Sequence, residues 1–331
     1  MRTSHAALLA LSPDGAGPLT QAWRAYLADD PALLATPADP DFEFPFRRES
    51  LAVLQWADEQ SSDWTWTYLR GLNLWAMERP AEAAVLLRGL GDAPDFAPFY
   101  ATRATLPDVA GIAERVADFR HAVALAPQIR LLHVDLVGYL LEEGRWDDAL
   151  EALADARARF PDDFNLALFE ARALVNTDRA ADAVEILENV HVLPSEHARG
   201  THALWEQAHT MMALVALDAG DDEVAAAHLG AALEWPETLG QGRPYEPEER
   251  LVHYLLGKVA ARAGNAEQSQ RHYEAVIVAT GEVPAASTGL DLLALDAQRA
   301  GSLDPADYPG LFDDLEGQLI LRALQIEGGR R

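Results

Sequence analysis

Residues 144–161 set a ruler that fits this chain again at an interval of 34 residues. A fixed period of that length restricts a chain to stacked copies of one small unit. Gly144 ends one helix, the aromatic Trp146 follows, and Ala149, Leu153 and Ala156 stand at i, i+4 and i+7 before Pro161 closes the unit. Residues so spaced share one helix face. The trio therefore reads as a seam against the preceding helix, with small side chains where the two axes approach. Moved back by 34, the seam becomes Phe119 and Ala122 with Pro127 after them; moved forward, it becomes Ala183, Leu187 and Val190. Two later units keep the internal spacing, Gly220 with Ala225, Leu229 and Ala232, then Gly264 with Ser269, Tyr273 and Val276. A degenerate earlier one has Ala83, Leu87 and Leu90.

Between these breaks Ala, Leu, Glu and Arg dominate, apolar residues recur three and four apart, and strand-like alternation is missing. The expected fold is all-α, an α-solenoid of antiparallel helix hairpins, with about 14 to 16 helices. Ala183 and Ala225 are 42 apart, and Ala225 and Ser269 are 44 apart, so loops at 191–201 and 235–249 interrupt the array. The expected division is an N-terminal helical flank at 1–48, the repeat array at 49–281 and C-terminal capping helices at 282–331.

The Gly-x-aromatic turn, the paired small residues and the closing proline resemble the tetratricopeptide repeat, best kept at 130–163. A second resemblance rests on Phe44-Pro45-Phe46-Arg47-Arg48, on 95–100, on 191–196 and on Trp235-Pro236 through Arg243-Pro244-Tyr245. These stretches, within roughly residues 10 to 280, are similar to the helical C-terminal half of a bacterial family of unknown function. Its N-terminal half resembles galactose mutarotases and glycoside hydrolases. That resemblance implies a link to carbohydrate metabolism and carries over no catalytic residue.

The chain has no cysteine, which excludes disulfides, thiolate zinc sites and cysteine nucleophiles. Its 53 acidic and 26 basic residues leave a net charge of -27, and Lys258 is the only lysine. Nucleic acid and anionic membranes both require basic patches, so neither is an expected partner. Apolar runs such as residues 6–11 fall far short of a membrane span, and no secretory signal is legible at the N-terminus. A cytoplasmic location is expected. The acidity itself fits either a self-repelling soluble surface or a lure for a basic partner.

Candidate chemistry is sparse. His202, Glu206 and His209 share one helix face, with Glu196 and His197 upstream, and such a face could ligate a metal. The spacing matches no motif with a mechanism, so a polar face under an ordered loop is the expectation. The pairs Asp147-Asp148, Asp162-Asp163 and Asp221-Asp222 each stand at a helix start or just after a helix end, where acids cap free N–H groups. Gly240-Gln241-Gly242-Arg243 follows no strand and reads as a shaped turn ordered by Arg243 and Tyr245. No catalytic residue, metal or cofactor is expected.

In the tetratricopeptide register the first helix of each unit lines the binding groove. Counting units from 130, 164, 206 and 250, the polar groove candidates are Asn165, Arg172, Asn176, Gln207, Thr210, Tyr254, Lys258 and Arg262. Arg172, Lys258 and Arg262 would form a cationic cluster suited to an acidic peptide or a C-terminal carboxylate. A second candidate surface is aromatic: Phe44, Phe46, Trp64, Trp66, Trp235 and Tyr245, with Arg243 beside them. The reading is a non-catalytic protein–protein interaction scaffold with a protein or peptide partner. The alternative is a helical accessory, or split-off half, of a carbohydrate-active enzyme, which would then be the partner.

Overall fold

The hairpins follow from the placement of residues that can take a left-handed backbone. In a computed structural model of the chain, which describes residues 17–106, 111–194, 200–280, 286–298 and 303–326, five turns share one design. Glu78, Gly144, Asp178, Gly220 and Gly264 have positive φ, between 57° and 79°. Each lies five residues before a seam residue, in turn Ala83, Ala149, Ala183, Ala225 and Ser269. Glycine takes this conformation without steric cost, whereas a side chain costs on the order of 1–2 kcal/mol. Asp178→Gly is therefore expected to stabilise the protein by about 1 kcal/mol, read as a raised thermal midpoint; an unchanged or lower midpoint would refute this account of the turn.

Sixteen α-helices and no strand occur among the described residues. The chain forms two compact units, residues 1–143 and 144–331. The first contains α1 (Pro18–Ala28), α2 (Arg48–Gln60), α3 (Trp64–Ala76), α4 (Pro80–Gly89), α5 (Ala97–Thr105), α6 (Ile112–Leu125) and α7 (Arg130–Glu142). The second contains α8 (Trp146–Arg159), α9 (Phe164–Val175), α10 (Ala180–Asn189), α11 (Thr201–Asp218), α12 (Asp222–Ala232), α13 (Arg250–Arg262), α14 (Ala266–Thr280), α15 (Gly289–Gln298) and α16 (Leu315–Gln325). Within each unit successive helices pack on one another.

The seams are buried. Ala149, Leu153, Ala156, Ala183, Leu187, Ala225, Leu229 and Ala232 are fully enclosed, as are Ala83 and Leu87, while Leu90, beyond the end of α4, is half-buried. The close approach of paired helices shows at Gly257, where an added Cβ would sit 2.9 Å from the Tyr273 ring. Acid pairs cap as expected at Asp163, which accepts from Leu166 N, and at Asp221, which accepts from Val224 N. Asp147 and Asp148 lie inside the first turn of α8 instead, where Asp148 accepts from Arg145.

The two loops that lengthen the repeat meet each other. They flank α11 and α12, whose antiparallel pairing brings both to the same end. Val192 N donates to Thr238 O at 2.8 Å, and Gln241 Oε1 accepts from Thr201 Oγ1 and His202 N. Gly240, at φ +66°, rests so close to Val192 O that a Cβ would come within 2.8 Å. Arg243 steadies the turn through Glu249, at 2.9 Å. Tyr245 is 98% exposed, so it does not order the loop as the sequence suggested.

Candidate functional site

The first helices of the second unit's hairpins, α9, α11 and α13, bring some groove candidates together and consume others. Arg172 and Asn176 of α9 and Gln207 of α11 line one cavity of about 520 Å³. Arg172 is exposed, with its guanidinium carbon 5.9 Å from the centre of the Trp146 ring, and Asn176 Nδ2 donates to Arg172 O at 2.8 Å. Phe169, Leu204 and Leu315 supply apolar wall, and Asp314 stands at the rim contributed by α16. Asn165, half-buried in the first turn of α9, lines no part of it.

The expected cationic trio does not assemble. Helix α16 lies against α11 and α13 and covers the positions from which Tyr254 and Lys258 would have faced a partner. Tyr254 is wholly buried and its hydroxyl donates to Asp296 Oδ2 at 2.5 Å. Lys258 is 6% exposed, and its Nζ donates to the carbonyls of Ala323, Leu324 and Ile326 at 2.8, 3.1 and 2.6 Å. Arg262 pairs with Asp222 at 3.0 Å. A cation at the C-terminus of a helix answers the negative end of its dipole and its unpaired carbonyls. The lone lysine thus closes α16.

A smaller cavity of about 170 Å³ adjoins the first, sharing Ala203 and Gln207 with it. Thr210, the remaining groove candidate, is buried in its lining, and Glu206, Glu248 and Glu316 bring three carboxyl groups to it from α11, the start of α13 and α16. Burial pushes the Glu206 carboxyl up to about 8, reinforced by the charges of Glu248, Glu249 and Glu316. Burial also raises Glu316, with Asp314 and Glu248 adding to it and Arg250 opposing. A carboxyl raised in the folded state keeps its proton after the unfolded chain has lost it. Stability is therefore lost as pH climbs from about 4.5 through about 8. Glu206→Gln is expected to remove this slope, so that the thermal midpoint of the variant gains on the parent between pH 5 and pH 8. Parallel curves for the two proteins would refute the assignment.

The histidine face comes apart. His202 stacks on Trp235, centroids 3.4 Å apart, and bonds Glu234 O at 3.0 Å, while its Nδ1 lies 4.0 Å from Glu206. His209 turns instead to His228, at 3.1 Å between Nδ1 atoms. The same arrangement recurs 44 residues on, between His253 and His272. Burial lowers His202, His209, His253 and His272 alike, His209 to about 4. Glu196 and His197 lie outside the described residues. Among the aromatic candidates, Trp66 is buried, Trp64 packs on Tyr68 and Phe96, and Phe44 and Phe46 are exposed.

Sequence reasoning missed the acidic cavity and the paired histidines. The signal for the first was a charged residue, Glu206, in the middle of a helix buried along most of its length. The signal for the second was the recurrence of histidine at the interval already used to align the seams.

No curated protein matches the chain. The tetratricopeptide repeat family model matches residues 140–190. Among solved structures, the chain is similar to Naa15/Naa10 bound to HypK-THB, at 14% identity and a TM-score of 0.50, over 88% of this chain. It spans 42% of that chain's length. It is also similar to PilW, a type IV pilus biogenesis factor, at 13% identity and a TM-score of 0.36, over 66% of this chain and 94% of the other. The likeness to the first concerns the fold alone. Its all-helical hairpins, its buried seams and the match at 140–190 give this chain a tetratricopeptide-like helical-repeat fold.

Proposed function

We propose that the protein is a non-catalytic interaction scaffold whose partner is a protein or peptide segment seated in the groove between α9, α11 and α16. The observation that carries this is the open cavity of about 520 Å³ in which Trp146, Phe169 and Arg172 meet the amides of Asn176 and Gln207. Aromatic and arginine side chains around an apolar floor are the anchors that interfaces favour. Side-chain amides beside them can answer an extended backbone's donors and acceptors. Protein binding is also what the repeat architecture is suited to, since stacked hairpins offer a long surface.

With Lys258 and Arg262 engaged inside the chain, a partner with an acidic or C-terminal carboxylate motif would depend on Arg172. Among the described residues, no feature of the second unit favours the rival reading as an accessory of a carbohydrate-active enzyme. No helix among the described residues is long and apolar enough to cross a membrane, and a cytoplasmic setting is part of the same proposal. Affinity capture from the native host should yield a protein retained by the parent chain and released by an Arg172→Glu, Gln207→Ala variant of unchanged thermal midpoint. Equal retention by both would count against the groove.

A further inference from the structure

We propose that the smaller cavity, between α11, the start of α13, α15 and α16, receives the cationic end of a lysine or arginine side chain from the partner protein. Three observations converge on it. Glu206 is 19% exposed and pairs with no arginine or lysine among the described residues, and His202 Nδ1 lies 4.0 Å from it. Glu316 adds a second carboxyl, and Glu248 a third, shared with Arg250, whose Nε lies 2.7 Å from Glu248 Oε1 and which also approaches Asp291. Thr210, in the same lining, is 1% exposed and its hydroxyl has no hydrogen-bond partner among the described residues. A buried hydroxyl without a partner is costly, and an ammonium or guanidinium group supplies the missing donors to it and to the carboxylates together.

The rest of the lining is apolar, from Leu251, Leu290 and Leu319. That suits the methylene stem that lysine and arginine bury behind their charge. The cavity's size, about 170 Å³, is that of a side chain, well under the roughly 300–1,000 Å³ of sites that enclose a small-molecule ligand. Its continuity with the open groove through Ala203 and Gln207 favours a side chain inserted from a bound segment over a free amine. The net charge of -27 draws basic partners toward it from a distance. The inference thus reverses the polarity expected of the groove cations, and it rests on the scaffold reading for the source of the cation.

The test titrates the full chain at 0.15 M salt and pH 7 with Nα-acetyl-arginine N-methylamide, its lysine counterpart and the uncharged citrulline isostere. Calorimetry in two buffers reads affinity and proton release together. Both charged amides should bind and release up to one proton, because Glu206 holds its proton up to about 8 and gives it up to a cation. The citrulline amide should bind at least tenfold more weakly, and Glu206→Gln should lose at least tenfold toward the charged amides. Glu316→Gln should lose as much, which keeps the test open if the first variant fails to fold. Glu223→Gln, an exposed acid elsewhere on α12, should bind as the parent does. Equal binding by citrulline or by both cavity variants would overturn the proposal. So would putrescine or magnesium binding more tightly than either amide, since the occupant would then be a free cation. The titration reads the cavity alone, so it can fail while capture through the groove succeeds, and the reverse.

Discussion

An Arg103→Met variant is expected to lose roughly 3–5 kcal/mol of stability, the range for leaving one member of a buried ion pair without its partner. Arg103, on α5, is 9% exposed and meets Asp118 of α6 through two bonds, Nε to Oδ2 at 2.8 Å and Nη2 to Oδ1 at 2.5 Å. Its third arm donates to Gly91 O, and its plane lies 5.0 Å from the Phe99 ring centre and 5.1 Å from that of Tyr100. Methionine keeps much of the apolar contact but strands Asp118, itself 8% exposed. Removing both charges in an Arg103→Met, Asp118→Leu double variant should restore most of the loss, because the penalty comes from the orphaned carboxylate. Urea midpoints of the parent, the single and the double variants decide it. A single variant within 1 kcal/mol of the parent, or a double variant no better than the single, would sink the argument.

The second large effect is expected at Lys258→Met, on the order of 3 kcal/mol for removing a charged donor from three buried or half-buried carbonyls. The loss should be local before it is global. Those carbonyls belong to Ala323, Leu324 and Ile326 at the end of α16, so amide exchange across residues 315–325 should accelerate well ahead of exchange in α9 and α10. Tyr254 should hold α15 through Asp296 in the same variant. Arginine is a poor substitute, since a planar fork does not aim at three carbonyls around one helix end as a compact ammonium does. Unchanged protection in α16 would show that packing on α11 and α13 suffices without the lysine.

These two sites show where reading the chain from its residues succeeded and where it stopped. The seams at Ala149, Ala183 and Ala225 were legible because a helix face is set by spacing along one segment, and an αL residue five positions earlier sets the turn. Asp163 and Asp221 were legible as caps for the same local reason. Lys258 and Arg262 were legible as polar positions on first helices, but what they meet was not. Their partners lie about 65 and 40 residues away, in α16 and at the start of α12. The sequence register assumes an open wall, and α16 closes part of it.

Periodicity, composition and turn residues by themselves determined an all-α array of hairpins, the positions of its seams and the absence of thiol chemistry. Each depends on neighbours within one or two helical turns, or on residue type alone. Only the tertiary structure decided which groove positions stay open, because the folding back of the C-terminal helices is a long-range event with no period to announce it. It buried Tyr254 and Lys258, left Arg172 with Trp146, and gathered Glu206, Glu248 and Glu316 from two helices and the loop before α13 into one cavity. Carboxyl groups that are far apart in the chain interact strongly only after burial removes the water that screens them.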